Sequence, residues 1–283
     1  MNPSPSSPQF ASPCIRAFLS RLAREPAVLV SVASTEGSAP REAGAWMAVF
    51  AHEQVGTIGG GHMEFEAIVR ASAQLAGAAP PDDQPLQRFA LGPALGQCCG
   101  GVMHLRFEPV SAADVPALAT RLGGDWRQQA RPVALFGGGH VGAALIRVLS
   151  MLPFALRWID SRDSVFPAHL PDGVVCEHSD PVQAAVRDVA PQSRVLIMSF
   201  SHAEDLEVLA ACLLRQRKQA DLPYIGLIGS KTKWATFRHR LEARGFTAEE
   251  LAHVTSPIGV PGITGKEPEA IAVAVAAQLL QAR

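Results

Sequence analysis

The amino-acid sequence predicts an α/β protein in two parts, an N-terminal mixed α+β domain followed by a Rossmann-like, doubly wound parallel sheet domain. Three observations predict it. Val133-Ala-Leu-Phe-Gly137-Gly-Gly139-His140-Val-Gly142 runs an apolar strand pattern into a glycine loop and then a helix, the layout of a dinucleotide-binding turn. Beyond it, strand-length apolar runs alternate with helical stretches, which builds crossover units and a parallel sheet. Before it, short strands lie close together and two share a hairpin tip, so that half reads as a sheet of its own. The expected boundaries are residues 1–12 for a disordered tail, 13–125 for the first domain and 126–283 for the second.

The tail, Met1-Asn-Pro-Ser-Pro-Ser-Ser-Pro, has neither a charged segment nor an apolar one, so it reads as disordered rather than as a signal peptide. Cys14 to Arg24 places Ile15, Phe18, Leu19 and Leu22 on one side of a short helix. Ala27 to Ala33 is an apolar strand. Thr35-Glu-Gly37-Ser38-Ala-Pro40-Arg41 is a loop of turn residues. Strands over Ala45–Phe50 and Gln54–Ile58 meet at the tip His52-Glu53. Thr57-Ile-Gly59-Gly60-Gly61-His62-Met-Glu64 then passes from strand through three glycines into a helix. Exposed N–H groups at such a start suit a phosphate or another oxyanion; the alternative is a plain turn in which glycine supplies positive φ.

Pro80 to Pro85 is a polar loop. Leu91-Gly-Pro-Ala-Leu-Gly96-Gln-Cys98-Cys99-Gly100-Gly101 leads into a strand over Val102–Phe107. Adjacent cysteines rarely bridge each other, because the ring they would close is strained. The flanking glycines leave room for a bulky group to reach the sulfur, and thiolates suit soft transition metals. The plainer alternative is that both are small residues packed beside the strand. A short helix after Ser111 and the linker Gly123-Gly124-Asp125 close this half.

In the second half, the strand over 133–136 is followed by a helix over 141–151 and a strand over 154–159. Asp160 stands about 20 residues past the glycines, where the fingerprint places its ribose-binding carboxylate. A strand over 174–176, a helix over 181–189 and a strand over 194–198 come next. Ser201-His202-Ala-Glu204-Asp205 opens a helix over 203–215 at the ligand-binding edge of the sheet. There His202 could donate to a ligand or move a proton, or Ser201 or Asp205 could simply cap the helix. A strand over 224–228 precedes Gly229-Ser230-Lys231, an anion site or an ordinary serine cap. A closing helix runs to Leu280. Glu267 and Pro268 suit its first turn, and Lys266 sits beside its start.

Net charge is −1, with 48% hydrophobic and 18% charged residues, which argues against a nucleic-acid or anionic-membrane surface. No apolar run reaches the roughly 20 residues a membrane span needs. Five cysteines, an odd count, do not suggest a disulfide framework, so a cytoplasmic setting is expected.

Six ordered stretches resemble the XdhC/CoxI family over about Ala27 to Leu280. They are Thr35–Arg41, Gly56–Glu64, Leu91–Gly101, Phe136–Gly142, Tyr224–Lys231 and the tail Ser256-Pro-Ile-Gly-Val-Pro-Gly262 with Ile263–Ala272. The resemblance implies a non-enzymatic protein that binds molybdenum cofactor, a molybdenum–pterin dithiolene with a phosphate. It would protect the cofactor while a cysteine desulfurase supplies the terminal sulfido ligand, and deliver it to the molybdenum subunit of apo-xanthine dehydrogenase. A homodimer is expected from family habit. The expected cofactor contacts are Ser38, Arg41, Gly59, Gly60, Gly61, His62, Glu64, Cys98, Cys99, Gly137, Gly139, His140, Gly142, Asp160, His202 and Lys266, with Cys99 the expected molybdenum contact. The competing expectation is an NAD-dependent oxidoreductase, resting on Gly137, Gly139, Gly142 and Asp160. Asp160 would then bias a bound nucleotide toward NAD over NADP.

Overall fold

The computed structural model describes residues 13–78, 85–91, 100–171 and 173–282. The chain divides between Asp125 and Trp126 into two compact units.

The first unit carries strands β1 (Ala27–Glu36), β2 (Trp46–Val49), β3 (Gln54–Gly56), β4 (Leu86–Ala90) and β5 (Val102–Val110). They form one antiparallel sheet in the order β3-β2-β1-β5-β4. Alternation along β1 turns Val28, Val30 and Val32 to one face. There they meet Met63, Ala67 and Ala71 of helix α2 (Gly61–Leu75), which recur every four residues along one stripe. Helix α1 (Pro13–Leu22) brings Phe18 against Trp46 and Phe50, with ring centroids 5.3 and 6.2 Å apart. β4 escapes the sequence pattern because it is a five-residue strand with no fully buried position. The division falls at the expected linker, but the linker is helical: helix α3 spans Val115–Gln129 and runs through Gly123 and Gly124. Two glycines cost a helix about 2 kcal/mol relative to alanine, a penalty that its neighbours override.

The second unit carries β6 (Arg131–Phe136), β7 (Phe154–Asp160), β8 (Val174–His178), β9 (Arg194–Ile197), β10 (Tyr224–Leu227) and β11 (Val254–Thr255). All pairings are parallel, in the order β8-β7-β6-β9-β10-β11. This is the doubly wound order, and it reverses between β6 and β9, where such sheets open a ligand crevice. Both faces are buried, as a parallel sheet requires. Val133, Leu135, Leu156 and Leu196 pack with helices α4 (His140–Leu149) and α8 (Pro268–Gln281). The alternate residues Ala134, Phe136, Val195 and Ile197 pack with α5 (His202–Gln219), α6 (Lys231–Ala243) and α7 (Ala248–Ala252). The helix expected over 181–189 is a 3-10 helix at Val182–Asp188, with Val182 and Ala185 three apart on its buried side. α7 and the two-residue β11 are too short to leave a periodic signature.

Candidate functional site

In the N-terminal unit, Gly59, Gly60 and Gly61 have φ of 129°, 74° and 71°, a run that only glycine adopts without strain. They turn the chain from β3 into α2. Gly60 is the N-cap and carries no side-chain cap. Glu64, one turn into the helix and 9% exposed, reaches back to hold the loop. Its carboxylate accepts from Thr57 Oγ1 at 2.5 Å, Ile58 N at 2.9 Å, Gly60 N at 3.1 Å and Gln54 Nε2 at 3.4 Å. Burial alone would raise its pKa, but these donors outweigh burial and hold it below the usual glutamate range. Glu64 is therefore committed to the loop rather than presented to a ligand.

The Pro40–Arg41 segment closes on this loop, and Gly101 closes in turn on the chain just before that segment. A Cβ on Gly59 would stand 2.7 Å from the Pro40 ring and 3.4 Å from Arg41 Cγ. A Cβ on Gly101 would stand 2.4 Å from Ser38 O and 2.5 Å from Glu36 O. Residues distant in sequence, Ser38 to Arg41, Gly59 to His62 and Gly101, thus gather at one place. Around Gly60 nothing lies within 4 Å of the Cβ position, so the loop is open there. Ser38, Arg41 and His62 are exposed. His62 Nε2 lies 3.2 Å from Glu66 Oε1, and its ring stacks beside Phe65 at 6.2 Å. Cys98 and Cys99 lie outside the described residues.

In the C-terminal unit the glycines take three separate jobs. Gly137, at φ 125°, passes so close to the loop after β9 that a Cβ would lie 2.0 Å from Met198 O. At Gly142 a Cβ would lie 2.2 Å from Gly137 O, so the helix start rests directly on the turn. Gly139, the N-cap of α4, has nothing within 4 Å of its Cβ position, and the exposed His140 follows it. The turn is pinned from below by the buried Trp158 indole, whose Nε1–H donates to Gly137 O at 2.9 Å.

Asp160, at the end of β7, is 1% exposed. Its oxygens accept from Gly138 N at 2.6 Å, Arg162 N at 2.9 Å, Arg162 Nε at 2.9 Å and Arg162 Nη2 at 3.0 Å. Burial opposes ionisation, but the Arg162 and Gly138 donors and the guanidinium charge keep its pKa below the usual range. The guanidinium also lies 4.4 Å over the Phe200 ring.

His202 and Asp205 do not act as a facing pair. His202 is exposed, edge-on to Phe237 at 6.1 Å. Asp205 is buried, accepting from Ser199 N at 2.7 Å and Lys233 Nζ at 2.5 Å. Lys233 Nζ also donates to Ile228 O at 2.9 Å. This ion pair joins the starts of α5 and α6, and sequence reasoning missed Lys233, whose spacing carries no motif. Ser201 and Ser230 are caps, accepting from Glu204 N and Lys233 N, each at 3.2 Å. Lys266 is exposed beside Glu267, the N-cap of α8.

Among the described residues no three His, Cys, Asp or Glu side chains are grouped to hold a metal ion, and no helix is long and apolar enough to cross a membrane. Of the described cysteines, Cys212 is fully buried, and burial pushes its thiol up to about 12 against a smaller opposing pull from Arg215.

Comparison with known proteins agrees with the fold. The XdhC Rossmann domain family matches residues 133–279, and the XdhC and CoxI family matches residues 20–89. The uncharacterized protein YqeB of Escherichia coli (strain K12) is 26% identical over 261 residues, 91% of this chain. The chain spans 44% of YqeB's length. A crystal structure described as a xanthine dehydrogenase from Bacillus halodurans is similar with a TM-score of 0.71 and 22% identity, over 95% of both chains. At that identity the likeness is one of fold.

Proposed function

The chain belongs to the XdhC and CoxI family, and on that premise we propose that it is an accessory protein that binds molybdenum cofactor as cargo. In this reading it shields the cofactor while a cysteine desulfurase exchanges a terminal ligand for sulfur, then passes it to the molybdenum subunit of xanthine dehydrogenase. Family membership supports the maturation role. The observation that carries the cargo reading is the convergence of Ser38–Arg41, Gly59–His62 and Gly101 around a loop that is open at Gly60. A phosphate-bearing pterin needs close backbone approach, a cation and hydroxyl or amide donors. Gly60, half-buried and with open space at its Cβ position, allows the backbone approach, and the exposed Arg41 and Ser38 provide the cation and the hydroxyl. In this reading Cys99 gives the molybdenum a soft ligand, since Gly100 and Gly101 lead away from it into the cluster.

The test is molybdenum and pterin analysis of the protein purified from cells able to make the cofactor. Near-equimolar molybdenum and pterin are expected. Protein free of both would refute the cargo role. The same protein, loaded and mixed with apo-xanthine dehydrogenase and the desulfurase, is expected to restore xanthine dehydrogenase activity.

A further inference from the structure

At the glycine turn of the second unit, the carboxylate in the ribose-binding position already has partners from the chain itself. In dinucleotide folds the carboxylate ending the second strand accepts from the ribose hydroxyls. Asp160 holds that position, as the last residue of β7 beside the glycine loop of β6. A carboxylate offers about four acceptor sites, and four N–H groups already fill them: Gly138 N, Arg162 N, Arg162 Nε and Arg162 Nη2. The last two form a two-pronged fork, one nitrogen on each oxygen, which is how a vicinal diol would engage the same group.

The surroundings hold the fork in place. Phe200 lies under the guanidinium at 4.4 Å. Glu204, which accepts from Ser161 Oγ at 2.8 Å, adds a second negative charge that attracts Arg162. Val165 takes up the neighbouring space, because a Cβ on Gly138 would lie 2.6 Å from its Cγ1. We infer that Arg162 is an internal stand-in for the ribose diol, that Asp160 is a positioning residue for Arg162 rather than a nucleotide contact, and that the crevice is thereby closed to NAD. A 2′-phosphate fares no better, since the fork that would receive it is spent on Asp160 and Glu204 lies close by. The inference concerns the ribose end of the crevice alone and does not depend on the cargo reading.

Calorimetric titration of the full chain with NAD and with NADP tests this. The wild-type protein is expected to show no saturable binding of either at millimolar concentration. Arg162→Ala uncovers both Asp160 oxygens and is expected to bind NAD at least about tenfold more tightly than wild type, with NAD preferred to NADP. Arg162→Gln, which keeps one amide donor for Asp160, guards against a folding failure and is expected to show a smaller gain in the same direction. Circular dichroism establishes that each variant is folded. Saturable micromolar binding of NAD to the wild type would overturn the inference, as would folded variants that bind no better than wild type. Molybdenum content measured on the same samples separates this outcome from the cargo reading, since Arg162→Ala is expected to leave it unchanged.

Discussion

Gly101 lies against the backbone of Ser38, so closely that a Cβ would come within 2.4 Å of the serine carbonyl oxygen. A backbone atom cannot swing aside as a side chain can. Gly101→Ala is therefore expected to cost about 1–3 kcal/mol and to lower cargo binding, because it pushes the Ser38–Arg41 segment off the glycine loop. Gly100→Ala, with nothing within 4 Å, should fall within about 0.5 kcal/mol of wild type. Urea unfolding of the two variants makes the comparison, and equal midpoints would contradict the close approach.

Glu64 ties acid stability to the glycine loop. Its pKa is lower in the folded protein than in the unfolded chain, so the unfolded chain takes up protons first as pH falls. The stabilisation is complete above the ordinary glutamate value of about 4.3 and is lost as pH drops through the lowered folded value. Glu64→Gln should flatten stability against pH in that range and cost about 1–3 kcal/mol at neutral pH, as buried amide donors lose an ionised acceptor. Urea midpoints across pH 3 to 7 read both effects. An unchanged slope in the variant would remove Glu64 from the account.

Asp205 and Lys233 form a buried pair whose worth depends on both members being present. Lys233→Met strands the carboxylate with the Ser199 N–H but no cation and should cost about 3–5 kcal/mol. Asp205→Asn combined with Lys233→Met should recover part of that loss. A double-mutant cycle measures the coupling, and strictly additive losses would mean that the pair is not a unit.

Cys99→Ser is expected to keep the unfolding midpoint near that of wild type and to lose bound molybdenum. Cys98→Ser is expected to lose less. Metal analysis beside thermal unfolding distinguishes this from a packing role, in which stability falls and the folded fraction keeps its molybdenum. Full occupancy in both variants would withdraw the thiolate and leave the glycine cluster as the cargo site.

The parts of the fold written in local pattern were readable from sequence. The strand–glycine–helix turns at Gly59–Gly61 and Gly137–Gly142 need only neighbouring residues, and the three jobs of Gly137, Gly139 and Gly142 are those their spacing implies. Contacts between distant segments were not readable, because no periodicity links Pro40 to Gly59 or Ser38 to Gly101. Asp160 was found by its distance from the glycines. That its oxygens are already taken depends on the rotamer of Arg162, which sequence does not carry. Lys233 was hidden for the same reason: its partner comes from another helix. The glycines at 123–124 mark the division between the units without breaking the helix, since a local penalty of this size yields to tertiary context.

The indole of Trp158 hangs from the carbonyl of Gly137 and meets Phe166 edge-on at 5.3 Å, just past the turn that brings Val165 onto Gly138. The chain therefore contains a built-in optical probe of its own crevice. With Trp46, Trp126 and Trp234 replaced by phenylalanine, ultraviolet emission would come from this one ring. Any molecule that lifts the glycine turn must lengthen the bond to the indole and shift its colour, so occupancy can be followed in real time without a label.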